Sequence, residues 1–198
     1  MRAVIDRLAR VPLAAVGFLI LLSAAMAAGH VLLLEQIRAS GGEELPQWVA
    51  RLTIETYWGL LPLAFLMLWA RRGKRGGLLG RIGAALLACG PVTALLIAVG
   101  ALVWGGILGR GDLPPSVMTV ESLFYAMMLG VVVCGVAFLL DAGVRWWGAM
   151  LLIGLLGDFV MPMALAAVYA VFGIMLVVGA ARAGRRSTDV ETALDAAH

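Results

Sequence analysis

The stretch GLLGDFVMP, residues 154–162, interrupts the longest apolar run of the chain, which extends from Val144 to Ala181. A single helix over that run would be about 55 Å long, whereas the hydrocarbon core of a bilayer is about 30 Å thick. Gly157 and Asp158 are typical of a turn, and Pro162 is typical of the first position of a helix. The stretch therefore predicts that the run divides into two membrane-spanning helices.

The composition of the whole chain indicates the same environment. Hydrophobic residues make up 63% of the 198 residues and charged residues 14%, against roughly 45–50% and about 25% in soluble domains. The apolar residues also occur in runs close to or above the length that crosses a bilayer. We therefore predict an all-α, polytopic transmembrane helix bundle.

The predicted bundle is a single domain, residues 1–186, followed by a short polar cytoplasmic tail, residues 187–198. Five spans, with one Pro-broken fifth helix, are the alternative to six, and Asp158 would then lie near the middle of the bilayer as the leading functional candidate. The first apolar run resembles a signal peptide, but it continues to Leu34, which favours an uncleaved span. The six predicted spans cover about 11–34, 52–70, 82–108, 117–140, 144–160 and 162–181.

Basic residues at the span ends predict the orientation. The segment after the second span contains Arg71, Arg72, Lys74 and Arg75 and no acidic residue, which predicts a cytoplasmic location and, with it, a cytoplasmic N-terminus in a multi-pass protein of the cell membrane. We expect these four side chains to attract anionic lipid headgroups. They form no stripe interleaved with stacking aromatics, so we predict no nucleic-acid binding.

Two similar stretches precede spans that descend to the cytoplasmic side. LPQWVARLTIET begins at Leu45 and LPPSVMTVES at Leu113, and both lead from Leu-Pro to Thr, a β-branched aliphatic residue, Glu and a hydroxyl residue. Each is followed by a rising span with a Gly-Ala pair near its start. The pattern predicts a parallel duplication of a two-helix hairpin, with Glu55 and Glu121 at corresponding positions.

Polar residues gather near the predicted outer ends of the spans. A carboxylate at hydrocarbon depth is costly, so it usually faces water or protein. One interpretation is that the two glutamates complement helix N-termini and bind neighbouring hydroxyls or Arg51. The other is an outward-facing vestibule that binds a cationic or amine-bearing solute, with six candidate binding residues: Glu55, Glu121, Thr53, Thr119, His30 and Asp158.

Small residues spaced four apart predict close contacts between helices. We assign such packing to Gly105 and Gly109 in the third span and to Ala25 and Gly29 in the first. These residues either pack within the chain or dock another membrane subunit or a second copy.

Motifs that would identify an enzyme do not stand out. His30 lacks the local ligand spacing of a metal site, and we find no P-loop, dinucleotide fingerprint or nucleophile elbow. Cys89 and Cys134 lie in apolar runs and predict thiols without a redox role. The sequence does not identify a cofactor, and an enzyme is the less favoured class of function.

We predict a small carrier or transporter component, with a noncatalytic subunit or assembly factor of a larger membrane complex as the alternative.

Overall fold

The computed structural model describes residues 2–40, 46–72, 77–110 and 113–195, and the regular secondary structure in these ranges is helical. Side chains are described except at residues 2, 40, 47, 118, 158–160, 162 and 184–195. The elements in order are α1 (Arg2–Arg10), α2 (Leu13–Ser40), α3 (Gln47–Arg72), α4 (Gly77–Leu87), α5 (Cys89–Ala101) with a π-helical continuation (Leu102–Ile107), α6 (Pro115–Met118) with a 3-10 turn (Thr119–Ser122), α7 (Leu123–Leu140), α8 (Arg145–Val160) and α9 (Pro162–Asp195).

The predicted membrane class and helical architecture are confirmed. Within the described ranges, five helical segments are long and apolar enough to cross a membrane, and their bounds lie within a few residues of the predicted ones. The remaining predicted span, α8, has 16 residues, which corresponds to about 24 Å. It is apolar but shorter than the others. The five long segments are Leu13–Ala39, Trp48–Arg72, Gly77–Ile107, Pro115–Leu140 and Met163–Ala183.

The long apolar run does divide, because α8 and α9 are separated by Met161, whose backbone is extended. A residue before proline is disfavoured in the helical conformation, so Pro162 places the break. Gly157 lies inside α8 and contacts Ala164 of α9, instead of forming the predicted turn. Farther from the break, Trp146 packs edge-on against a ring of α9 (Phe172) with centroids 5.4 Å apart. These pairs show that α8 and α9 run antiparallel.

The helices close into a ring. In order around it, α2 packs against α3, α3 against α5, α4 against α7, α7 against α8, α8 against α9, and α9 against α2. Aromatic side chains fill the interior, where Phe65 of α3 meets Tyr169 of α9 with centroids 5.6 Å apart. A Cβ at Gly130 would lie 2.6 Å from the backbone nitrogen of Leu87, so α4 and α7 are in backbone contact.

The two ends of the ring differ in charge. At one end, here termed the basic end, α3 terminates with Arg71 and Arg72 and α8 begins with Arg145. At the opposite end, termed the acidic end, the first turns of α3 lead to Glu55 and the 3-10 turn before α7 contains Glu121.

The two similar stretches both start helices, since Val49 donates its N–H to the carbonyl of Pro46 and Val117 donates to Pro114, both at 2.9 Å. Beyond this turn they differ, because α3 continues as one helix whereas the second stretch passes through a 3-10 turn before α7. The glycines of both Gly-Ala pairs pack against α7. For Gly148 this helix is the predicted hairpin partner, but for Gly83 the predicted partner is α3. The duplication stays a prediction.

Two terminal features were not part of the sequence prediction. A short helix, α1, precedes the first span and packs against α3, and its Arg7 and Arg10 are exposed. At the other end, α9 continues as a helix to Asp195. The stretch 187–195, predicted as a separate tail, therefore extends the last helix, and residues 196–198 lie outside the described part.

Candidate functional site

Five polar side chains from α2, α3 and the 3-10 turn form what we term the acidic-end cluster: His30, Arg51, Thr53, Glu55 and Glu121. The sequence of α3 explains its share, because residues four apart, such as Arg51 and Glu55, lie on one face of a helix. Thr53 lies between them in sequence and faces α2 instead, where it contacts His30.

An ion pair joins α3 to the start of α7. Nη1 of Arg51 lies 2.5 Å from Oε1 of Glu121, and the two side chains are 23% and 38% exposed. Arg51 is the guanidinium considered above as a partner for the carboxylates. Arg51 is thus paired with Glu121, in a pair that water still reaches.

Glu55 is the buried acid of the cluster, with 6% of its surface exposed. It lies within electrostatic range of Arg51, which attracts it, and of Glu121, which repels it. Among the described residues, no hydrogen bond is made to the Glu55 carboxylate. The cluster therefore contains two carboxyl groups and one guanidinium, and the guanidinium is paired with Glu121.

His30 and Thr53 form a second contact, between α2 and α3. Oγ1 of Thr53 lies 2.8 Å from Nδ1 of His30, and the same hydroxyl is 2.9 Å from the carbonyl of Ala50. Because a hydroxyl has one proton, donation to Ala50 leaves Oγ1 to accept the Nδ1 proton. In that neutral tautomer, Nε2 of the buried His30 is a hydrogen-bond acceptor.

An aromatic layer lies directly beneath the carboxylates, and the sequence analysis missed it. Trp58 follows Glu55 by three residues and Phe124 follows Glu121 by three, which places each ring on the face of its glutamate. The two rings meet edge-on with centroids 5.0 Å apart, and Tyr57 packs on Trp58 at 5.2 Å. A signal was present, since both similar stretches continue with Glu, a hydroxyl residue, one further residue and an aromatic.

Thr119, one of the six predicted binding residues, is not brought into this cluster, and the placement of the Asp158 side chain is not described. Thr119 is exposed, and its hydroxyl donates to the carbonyl of Pro115 at 3.0 Å, which is a local contact at the start of a helix. Asp158 belongs to the last turn of α8, and its side chain lies outside the described part of the chain.

The four predicted packing residues occupy different environments. Gly105 lies directly against Trp48, which a Cβ at this position would strike. Gly109 has a φ of 61° with open space around it, so it ends a helix and mediates no contact among the described residues. Ala25 is exposed and Gly29 is open, so both face away from the bundle.

The predicted lipid-binding residues are described only in part. Arg72 lies 5.9 Å from the ring centre of Trp147, and its Nε is 4.0 Å from Oδ2 of Asp141. Arg71 is partly exposed. Lys74 and Arg75 lie outside the described residues.

Other chemistry is sparse in the described part of the chain. No group of three or more His, Cys, Asp or Glu side chains there could hold a metal ion. The thiol of Cys134 is buried and that of Cys89 is partly exposed. No protein-family model matches the chain, and no curated protein or solved structure matches it either.

Proposed function

We propose that this membrane protein is a small carrier, or a component of a transporter, that binds a cationic or amine-bearing solute at the acidic-end cluster. The observation that carries the proposal is the charge balance around Glu55. Arg51 is paired with Glu121, so the buried Glu55 has no cation bonded to it when it ionises within a predicted span. Because such a charge is costly in a bilayer, a cationic solute bound beside it would supply the missing compensation.

The aromatic layer favours an organic cation over a metal ion. The faces of Trp58 and Phe124 carry negative electrostatic potential, which attracts ammonium and guanidinium groups. Divalent metal ions instead require several ligands from His, Cys or carboxylates, and the described residues contain no such group. A primary amine or a guanidinium compound therefore fits the site best.

We also propose that the chain crosses the membrane six times, with the N-terminus and the basic end in the cytoplasm. The antiparallel packing of α8 on α9 supports this topology, because α8 leaves from the basic end next to Arg72. The short span requires the bilayer to thin locally or α8 to lie deeper than its neighbours. The acidic-end cluster then faces the outside of the cell.

A second candidate function is a noncatalytic subunit or assembly factor. The outward-facing small residues of α2, Ala25 and Gly29, favour it, because small residues on a lipid-facing surface allow another helix to approach closely. In this case the acidic-end cluster stabilises the fold and binds no solute.

The carrier proposal is tested with purified protein in liposomes, using radiolabelled methylammonium and guanidinium as probes. Glu55→Gln removes the charge and keeps the side-chain size, and we expect it to reduce binding and uptake at least about tenfold, because a partly buried charge pair contributes several kcal/mol. Glu35→Gln is the matched control, since Glu35 is an exposed acid of the same region. Equal uptake by the two variants, or none by the unmodified protein, would contradict the carrier.

The same preparations address the subunit alternative. If a membrane protein co-purifies with the chain and Gly29→Leu releases it while the bundle stays folded, the subunit function is supported. Retention of that partner by the variant argues against docking through α2.

A further inference from the structure

The basic end contains buried donor groups that the acidic-end cluster does not involve. Arg71 and Arg72 follow Leu68 by three and four residues, and Leu68 is fully buried. The three side chains therefore share the inward face of α3. Nε of Arg71 is buried and has no hydrogen-bond partner, although an unpaired buried donor is costly, and more so when it is charged.

Trp147 supplies a second unpaired donor at the same end. The residue is 7% exposed, and Nε1 of its indole is buried without an acceptor. The guanidinium of Arg72 lies 5.9 Å from the ring centre of Trp147. The indole and the end of α3 are thus neighbours.

The N-terminus of α8 adds backbone donors. α8 begins at Arg145, two residues before Trp147, and Val144 at its N-cap makes no side-chain cap. The first N–H groups of a helix lack partners within the helix and, together with the helix dipole, favour an anion. In α8 the N–H of Trp147 already donates to the carbonyl of Val144 at 2.8 Å, so the N–H groups before it are the available ones.

The charge at this place is positive. Asp141 is the nearby acid, but its Oδ2 is 4.0 Å from Nε of Arg72 and its Oδ1 accepts the N–H of Gly143 at 3.1 Å. This carboxylate offsets at most one of the two guanidinium groups. A positive charge, an indole N–H and a helix N-terminus remain for an acceptor.

We propose that the basic end holds one phosphate group between the last turn of α3 and the first turn of α8. A phosphate offers several acceptor oxygens to converging donors, and arginine binds it with two parallel hydrogen bonds. The group is the headgroup phosphate of a phospholipid or a soluble phosphate. The predicted attraction of anionic lipids to basic residues is diffuse, whereas this site requires particular donors.

The test uses delipidated protein in detergent and two probe arms. The lipid arm compares phosphatidylglycerol with diacylglycerol of the same acyl chains, by native mass spectrometry of retained lipid. The soluble arm compares inorganic phosphate with chloride at equal ionic strength, by thermal unfolding. Trp147→Phe keeps an aromatic ring and removes the N–H, and Arg71→Gln removes a charge at the same place. Arg81→Gln is the control, because Arg81 is an exposed arginine in α4.

We expect Trp147→Phe and Arg71→Gln each to weaken binding about tenfold, as for a lost hydrogen bond to a charged group, while Arg81→Gln changes it less than about twofold. Binding of phosphatidylglycerol alone identifies a lipid headgroup, and stabilisation by inorganic phosphate identifies a soluble ligand. The proposal is overturned if diacylglycerol is retained equally and phosphate does not stabilise, or if Arg81→Gln weakens binding as much as the other two. None of these outcomes depends on solute binding at Glu55.

Discussion

Replacing Arg51 with glutamine removes the one guanidinium that the structure places beside both carboxylates of the acidic-end cluster. Glu55 is 6% exposed, so its charge has little access to water. At alkaline pH, where Glu55 is ionised, we expect a large loss of stability from Arg51→Gln and recovery of most of it when Glu55→Gln is added.

The magnitude follows from the geometry. The Cβ atoms of residues four apart on a helix are about 5–6 Å apart, and two ionised groups about 6 Å apart attract by up to about 3 kcal/mol at an effective dielectric constant of about 20. The pair with Glu121 adds at most about 1 kcal/mol, because both side chains are partly exposed. At alkaline pH the combined loss is up to about 3–4 kcal/mol, which lowers the unfolding temperature of a chain of this size by up to about 16 °C. Near neutral pH we expect a smaller loss, because a buried carboxyl group without a cation takes up a proton.

The buried thiol of Cys134 provides the assay. Cys134 is fully buried in α7, so a thiol-reactive fluorophore reaches it only when the bundle opens. Cys89 is partly exposed and is replaced by alanine in every variant. Heating the detergent-solubilised protein then reports an unfolding temperature for each variant.

Two comparisons decide the outcome. Arg110→Gln is the matched control, because the guanidinium of Arg110 lies over the ring of Trp104 at 4.7 Å and an exposed contact of this kind contributes about 1 kcal/mol or less. The reasoning is refuted if Arg51→Gln costs no more than this control. It is equally refuted if Arg51→Gln with Glu55→Gln is no more stable than Arg51→Gln alone, since Glu55 would then not depend on Arg51.

Two further predictions concern packing and topology. Gly130→Ala places a Cβ 2.6 Å from the backbone of Leu87, so we expect a loss of about 1–3 kcal/mol of stability from overpacking. Gly29→Ala is the control, because open space surrounds this position, and it should be neutral or stabilising by up to about 1 kcal/mol. Equal shifts of the unfolding temperature in the two variants would contradict the contact between α4 and α7. In a background without native cysteines, Arg7→Cys and Arg182→Cys should react with an impermeant maleimide from the same side of a sealed liposome, and reaction from opposite sides would rule out six crossings.

The candidate site was predictable in part. Glu55, Glu121, Thr53 and His30 could be selected from sequence because ionisable and hydroxyl groups are rare in apolar runs, and a rare polar residue there is conspicuous. Their pairing could not be predicted, since it depends on which helix faces meet. Arg51 joins Glu121 across 70 positions of sequence, and Thr119, at the position corresponding to Thr53, contacts only its own turn.

Local chemistry determined what the sequence could establish alone: the membrane environment, the approximate bounds of the long helices, and the break before Pro162. Each of these follows from hydropathy over one segment or from the stereochemistry of one residue. The tertiary structure alone decided that Gly105 supports a contact while Gly29 faces outward, that Trp58 and Phe124 share a layer, and that Arg72 of α3 lies beside Trp147 of α8 at the basic end. These are relations between helices, and they depend on the rotation and order of helices in the ring, which side-chain packing sets and no single apolar segment encodes.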